Sequence, residues 1–293
     1  NVNLNDLPER RASVVARYIF YNNSVHDGMD PGANANDDNA IALSPEDLAA
    51  EDAHLGKEAL RPGQSASFGN YTSFTKGING IMVDIANVES TTLSDDDFEI
   101  RVGGKGFDTD PAHWALGPTP EISVRPGAGE NGSDRVTLTW PNDATKGEWV
   151  EVAVKANGNT GLNEPDVFYF GNAPGDDGTR ASAQVDVADI SSARDLDNRH
   201  GIFNRAPIQD FVDYNRDGLV NVADIAAVRG NRTGLFDRLA LFTAPAGGFA
   251  IAAPGTVGDG AASSQSGGPI LLHRSLSGID FSETATLSLL ALA

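Results

Sequence analysis

Residues 213 to 224 read DYNRDGLVNVAD, with oxygen-bearing side chains at Asp213, Asn215, Asp217, Asn221 and Asp224. Counted from Asp213, these are positions 1, 3, 5, 9 and 12, with Gly218 at 6 and Leu219 at 7. Calcium takes roughly six to eight oxygen ligands at about 2.3–2.6 Å, and a chain can wrap such an ion when alternate residues point inward. Glycine at position 6 permits the sharp turn, the Leu219 carbonyl supplies a backbone ligand, and Asp224 closes the loop from the helix that follows. Because position 12 is Asp and not Glu, that helix has to sit nearer the ion. The alternative is an acidic surface turn, with Asp224 merely favoured near a helix N-terminus.

The loop has an echo. VDVADISSARD (185–195) and VNVADIAAVRG (220–230) match at Val, Val-Ala-Asp-Ile and Arg, an internal repeat of one loop-helix unit. The loop has EF-hand spacing. With Asp at position 12, Asn at 9 and a helix of the form V-x-x-D-I-x-x-x-R, it resembles the dockerin family, in which duplicated calcium loops each precede a helix. The resemblance covers about residues 170 to 233. It implies Ca2+ as the bound ion, Asp186 and Asp189 as positions 9 and 12 of the first copy, and docking onto a cohesin-like β-sandwich. The opening of the first copy, GNAPGDDGTRASAQ, is longer than a twelve-residue loop allows and departs from the pattern. It leaves Asn172, Asp176 and Asp177 as candidate ligands that fold back, or a plain acidic loop.

The elements before the repeat are strands. SVVARYIFY, QSASFGNYTSF, GIMVDIANV, DFEIRVGG, EISVRPG, DRVTLTW, EWVEVAVKA and DVFYFGN are β-branched and aromatic runs bounded by Gly, Pro, Asn and Asp. They predict a mainly β fold, an antiparallel β-sandwich (jelly-roll or cohesin-like) over 1–169, followed by a small α-helical calcium module over 170–233. SPEDLAAEDAHLGKEAL is the one helix-like insert, with a capping box at Ser44 and Asp47. Residues 234–293 give a strand candidate, LFDRLALFTAP, a Gly/Ser-rich linker and an apolar tail whose alternation suits a strand added to its own sheet or to a second copy's. Exchange between copies predicts a homo-oligomer or filament.

The chain carries 41 Asp+Glu against 21 Lys+Arg, a formal net charge of −20, which argues against nucleic acid and anionic membranes as partners. No run reaches the ~18 apolar residues of a membrane span, and Asn1 opens a polar segment unlike a signal peptide. With no cysteine, there are no disulfides, thiolate metal sites or cysteine nucleophiles. Bound calcium then becomes the staple, and the composition leans toward an extracellular or cell-surface protein. His26, His54, His113, His200 and His273 lie singly, and no H-E-x-x-H, G-x-S-x-G or Walker loop is present, so the expectation is a non-enzymatic assembly protein. A carboxylate pair set apart in space would escape such a search. The rival reading is a polysaccharide-binding accessory fragment, with Trp114, Trp140 and Trp149 either stacking on sugar rings or packing in the core. A further acidic loop, YNNSVHDGMDPGANANDDN (21–39), offers Asn22, Asp27, Asp37 and Asp38 for a second kind of calcium site or stands as a solvated loop.

Overall fold

The computed structural model of the chain describes residues 11–247, so the expected linker, apolar tail and strand exchange lie outside the described residues. The fold is mainly β. One sheet joins β1 (Ser13–Ile19), β3 (Gly80–Ala86), β7 (Asp134–Thr139) and β6 (Glu121–Arg125) in that order. The other runs β2 (Tyr71–Thr72), β9 (Asp166–Asn172), β8 (Trp149–Val154), β4 (Phe98–Gly103) and β5 (Ala115–Leu116). Each of the eight expected runs contributes a strand. All pairings are antiparallel except β2 on β9, which is parallel over Tyr71–Gly171 and Thr72–Asn172.

Alternation explains how the sheets bury both faces. Val150, Val152 and Val154 of β8 meet Phe168 and Phe170 of β9, and Ile81, Val83 and Ile85 of β3 with Val136 and Leu138 of β7, in one cluster fed by both sheets. Trp149 and Ala153 point the other way and join Leu60, Tyr71, Trp114 and Tyr169. That outer face is covered by residues 239–244: Leu239, Phe242 and Ala244 pack on it, and Trp149 Nε1 donates to the Ala240 carbonyl at 2.8 Å. The predicted strand LFDRLALFTAP is therefore a cover held by single bridges, Leu239 to Lys105 and Ala183, and Thr243 to Ser65. All three tryptophans are buried, so none offers a face to a sugar.

The helix-like insert forms only 3-10 turns, at Pro45–Asp47 and Ala53–Leu55, although its Ser44–Asp47 capping box is present. No residue from 44 to 55 is buried, and so short a helix without a packed face is marginal in water. Among the described residues no helix is long and apolar enough to cross a membrane.

The repeat forms α1 (Val187–Asp195) and α2 (Val222–Gly230), as the two matching segments predict. Asp186 and Asn221 are the N-caps, accepting from Ala188 N and Ala223 N at 2.7 Å each, while Asp189 and Asp224 reach back to the cap N–H groups at 2.7 and 2.9 Å. Val185, Ala193, Val212, Tyr214, Val220, Ile225 and Val228 give the pair its own small core. A cap on a two-turn helix matters: Asn221→Ala is expected to cost about 1 kcal/mol, read as a shift in the urea midpoint at constant slope.

Residues 11–247 belong to one compact unit. The segment 71–76 binds both loops of the repeat. Tyr71 Oη donates to Asp176 Oδ2 at 2.7 Å, Gly175 N to the Ser73 carbonyl at 3.0 Å, and Thr75 N to the Tyr214 carbonyl at 2.9 Å. The repeat is thus docked on the chain's own β portion.

Candidate metal centre

In the second loop, the two ends of the 213–224 wrap are pinned to its backbone. Asp213 accepts from Asp217 N at 3.2 Å and Gly218 N at 3.0 Å, and Asp224 accepts from Tyr214 N and Asn221 N at 2.9 Å each. Asp217 accepts from Leu219 N at 2.8 Å and from Asn215 Nδ2 at 3.0 Å. Gly218 has φ +80°, the left-handed turn that position 6 demands. Asp213 and Asp224 are fully buried, and neither is in an ion pair with any described residue. Burial lifts Asp213 to about 7 and Asp224 to about 6, with neighbouring acids adding to the rise.

The first loop repeats this pattern with two more residues. Asp189 accepts from Asp177 N at 3.1 Å and Asp186 N at 2.7 Å, as Asp224 accepts from Tyr214 N and Asn221 N. Asp176 is therefore the counterpart of Asp213, Asp177 that of Tyr214, and Asp176–Asp189 spans fourteen positions where 213–224 spans twelve. Within this longer loop Gly178 has φ +69° and lies against Phe68. Asp176, Asp177 and Asp189 are all buried and present one oxygen each within 4.8 Å of one another. Asp213, Asp217 and Asp224 do not form such a trio. Burial lifts Asp176 to about 7 and raises Asp189 as well.

Two candidates of the first copy stand elsewhere. Asn172 is spent on the sheet: its Nδ2 donates to the Phe74 carbonyl at 2.9 Å and its Oδ1 accepts from Gly147 N at 3.0 Å, so it is a pin at the end of β9 and not a ligand of the loop. Asp186 serves as the α1 cap and accepts from Arg180 Nη1 at 2.7 Å. Arg180 had no mark in the sequence. Its other arm reaches Asp189 Oδ2 at 2.6 Å and the Gln184 carbonyl at 3.4 Å, the counterpart of the Leu219 carbonyl.

The donor set fits a hard divalent cation. Asp176, Asp177 and Asp189 gather three carboxylates, and the one cation in a salt bridge with them, Arg180 on Asp189, is shared with Asp186, so negative charge is left for such an ion to offset. All donors are oxygen, which suits calcium over zinc or copper. Asp176, Asp177 and Asp189 would hold the ion in the first loop; Asp213, Asn215, Asp217, the Leu219 carbonyl and Asp224 would hold it in the second, with Asn221 committed to its cap. Calcium there would supply positive charge and cross-linking. Compared with family models, with curated proteins and with solved structures, the chain matches none.

Proposed function

We propose that the chain is a non-enzymatic, calcium-stabilised structural protein of the cell exterior, a β-sandwich carrying a dockerin-like repeat, that works by docking to another protein. One observation carries the reading: five carboxylates of the repeat, Asp176, Asp177, Asp189, Asp213 and Asp224, are at most 2% exposed, and of these only Asp189 is in a salt bridge, while Arg216 sets positive charge near Asp213. Buried charge without a counter-ion costs several kcal/mol, so the loops call for a cation. The partner-facing part of the repeat would be the starts of its helices. Val187 and Val222 hold equivalent positions and are 63% and 71% exposed, while the second loop is covered by the chain's own Tyr21, Val25 and Thr75.

Calorimetric titration tests the reading directly. Two calcium ions are expected to bind the repeat, the second being lost in Asp213→Ala/Asp224→Ala; a chain that binds no calcium at millimolar concentration overturns it. Polysaccharide binding stays the rival on one observation, the exposed edge-on pair Phe107 and Phe236 with centroids 5.7 Å apart. Pull-down on insoluble polysaccharide, lost in Phe107→Ala/Phe236→Ala, would favour it.

The pH dependence follows from the raised carboxylates. In the calcium-free fold their protonated forms are the favoured ones, so the stability they contribute is full below about 4 and is lost as pH rises toward the folded values of about 6 to 7. Calcium binds the ionised forms. The difference in Tm between calcium and chelator is therefore expected to widen from pH 4.5 to 7.5; a difference independent of pH contradicts uncompensated burial.

A further inference from the structure

The loop from Asn22 to Asp37 belongs to the β portion and makes no use of the repeat's carboxylates, yet it has the same charge imbalance. Asp27 is 1% exposed, Asp37 0% and Asn22 3%. One end of each side chain is fixed. Asp27 Oδ1 accepts from Ser24 N at 2.9 Å and Met29 N at 3.0 Å, Asp37 Oδ2 accepts from Asn34 N at 2.7 Å, and Asn22 Nδ2 donates to the Pro31 carbonyl at 3.2 Å. The other oxygen of each, Asn22 Oδ1, Asp27 Oδ2 and Asp37 Oδ1, is buried with no hydrogen-bond partner. Neither Asp27 nor Asp37 is in an ion pair with a described residue, and the Asp27 charge is among the causes that raise Asp37. Asp38, the fourth acid of the stretch, is different: Arg135 Nη1 binds it at 2.8 Å and Arg125 Nη1 at 3.0 Å, so it is neutralised within the fold.

We propose that Asn22, Asp27 and Asp37 form a calcium site in the β portion of the chain, each giving the oxygen that the fold leaves without a partner. A buried water could donate to two of these oxygens, but it would bring no charge against two carboxylates. The backbone fixes the opposite ends, so the free oxygens are held in place before the ion arrives, which lowers the cost of ordering on binding. An all-oxygen set with two negative charges matches one calcium ion, with backbone carbonyls and water completing its shell. His26, the nearest nitrogen ligand in sequence, also has a buried Nε2 without a partner, and burial with Arg216 and Arg205 pushes its pKa down to about 4, so the ring is neutral.

The site also touches the repeat. Val25 N donates to the Arg216 carbonyl at 2.9 Å, inside the turn that Asp27 organises. Filling the site would therefore firm the surface on which the second loop rests.

A crystal structure of the full chain grown in saturating calcium tests the site. An ion about 2.3–2.6 Å from Asn22 Oδ1, Asp27 and Asp37 is the expected result; a water or an empty centre there overturns the proposal. The repeat's ions are read in the same map, so the two claims fail separately. Native mass spectrometry gives a second measure. Asp27→Asn/Asp37→Asn should bind one calcium fewer than the parent chain, and Asp176→Asn/Asp189→Asn/Asp213→Asn/Asp224→Asn should retain one. An unchanged count in the first variant refutes the site, and if that variant does not fold the crystal map still decides.

Discussion

Chelating calcium at neutral pH is expected to loosen residues 176–230 while the two sheets keep their protection from hydrogen exchange. The sheets share a core of large apolar side chains drawn from both layers. The repeat has only a small cluster, in which Tyr214, Val220 and Val228 sit directly beside Asp213, Asn221 and Asp224. Without an ion, Asp213 and Asp224 must either protonate or remain buried charges, and both outcomes oppose folding near pH 7. An ion held at a thousand times its Kd stabilises the folded form by about 4 kcal/mol per site, a large share of what a small domain has in total. Exchange should accelerate first in α1 and α2, then at the contacts made by 71–76. If β7, β8 or β9 exchanges faster than α2 on adding chelator, the repeat is not where the cation acts.

How much of this was legible depends on whether a residue's partner is near in sequence. The central strands were legible because alternation such as Val150, Val152, Val154 is a local pattern, and α1 and α2 because their caps and closing acids lie within one turn. β5 escaped since Ala115–Leu116 is two exposed residues with no period to detect. The second loop could be read from spacing alone, whereas the first could not, because its two added residues shift Asp176 out of the twelve-residue frame and only Asp189's bonds to Asp177 N and Asp186 N reveal the equivalence. Asn172 looked like a ligand because amide oxygens in acidic loops often are. Its real partners, Phe74 and Gly147, are distant in the chain. The docking of the repeat on its own β portion had no signal either, since Tyr71, Ser73 and Thr75 read as an ordinary strand.

Arg216 is the clearest case of a residue whose role only the fold discloses, and its loss is expected to be among the most damaging single changes. In the sequence it is position 4 of an acidic loop, where a solvated arginine is unremarkable. In the fold it is 3% exposed, has φ +53°, and lies with its guanidinium carbon 4.4 Å from the centre of the Tyr21 ring. Its Nη1 donates to the Asp210 carbonyl and to the Asp213 carbonyl, and its Nη2 to Tyr21 Oη at 3.2 Å. One planar group thus satisfies two loop carbonyls, stacks on the β portion and sets positive charge beside buried Asp213. Arg216→Met keeps much of the volume but leaves those carbonyls unpaired and removes the charge that opposes ionised Asp213, a loss of about 3 kcal/mol by the usual cost of breaking a buried polar arrangement. Arg216→Lys retains charge without the fork and should recover only part of it. The cost should appear as a lower urea midpoint, together with faster exchange at Val25 and Thr75, whose amides donate to the carbonyls of Arg216 and Tyr214. A change confined to 213–224, with Val25 and Thr75 still protected, would mean that Arg216 organises the loop alone and that other contacts hold the repeat to the sheets.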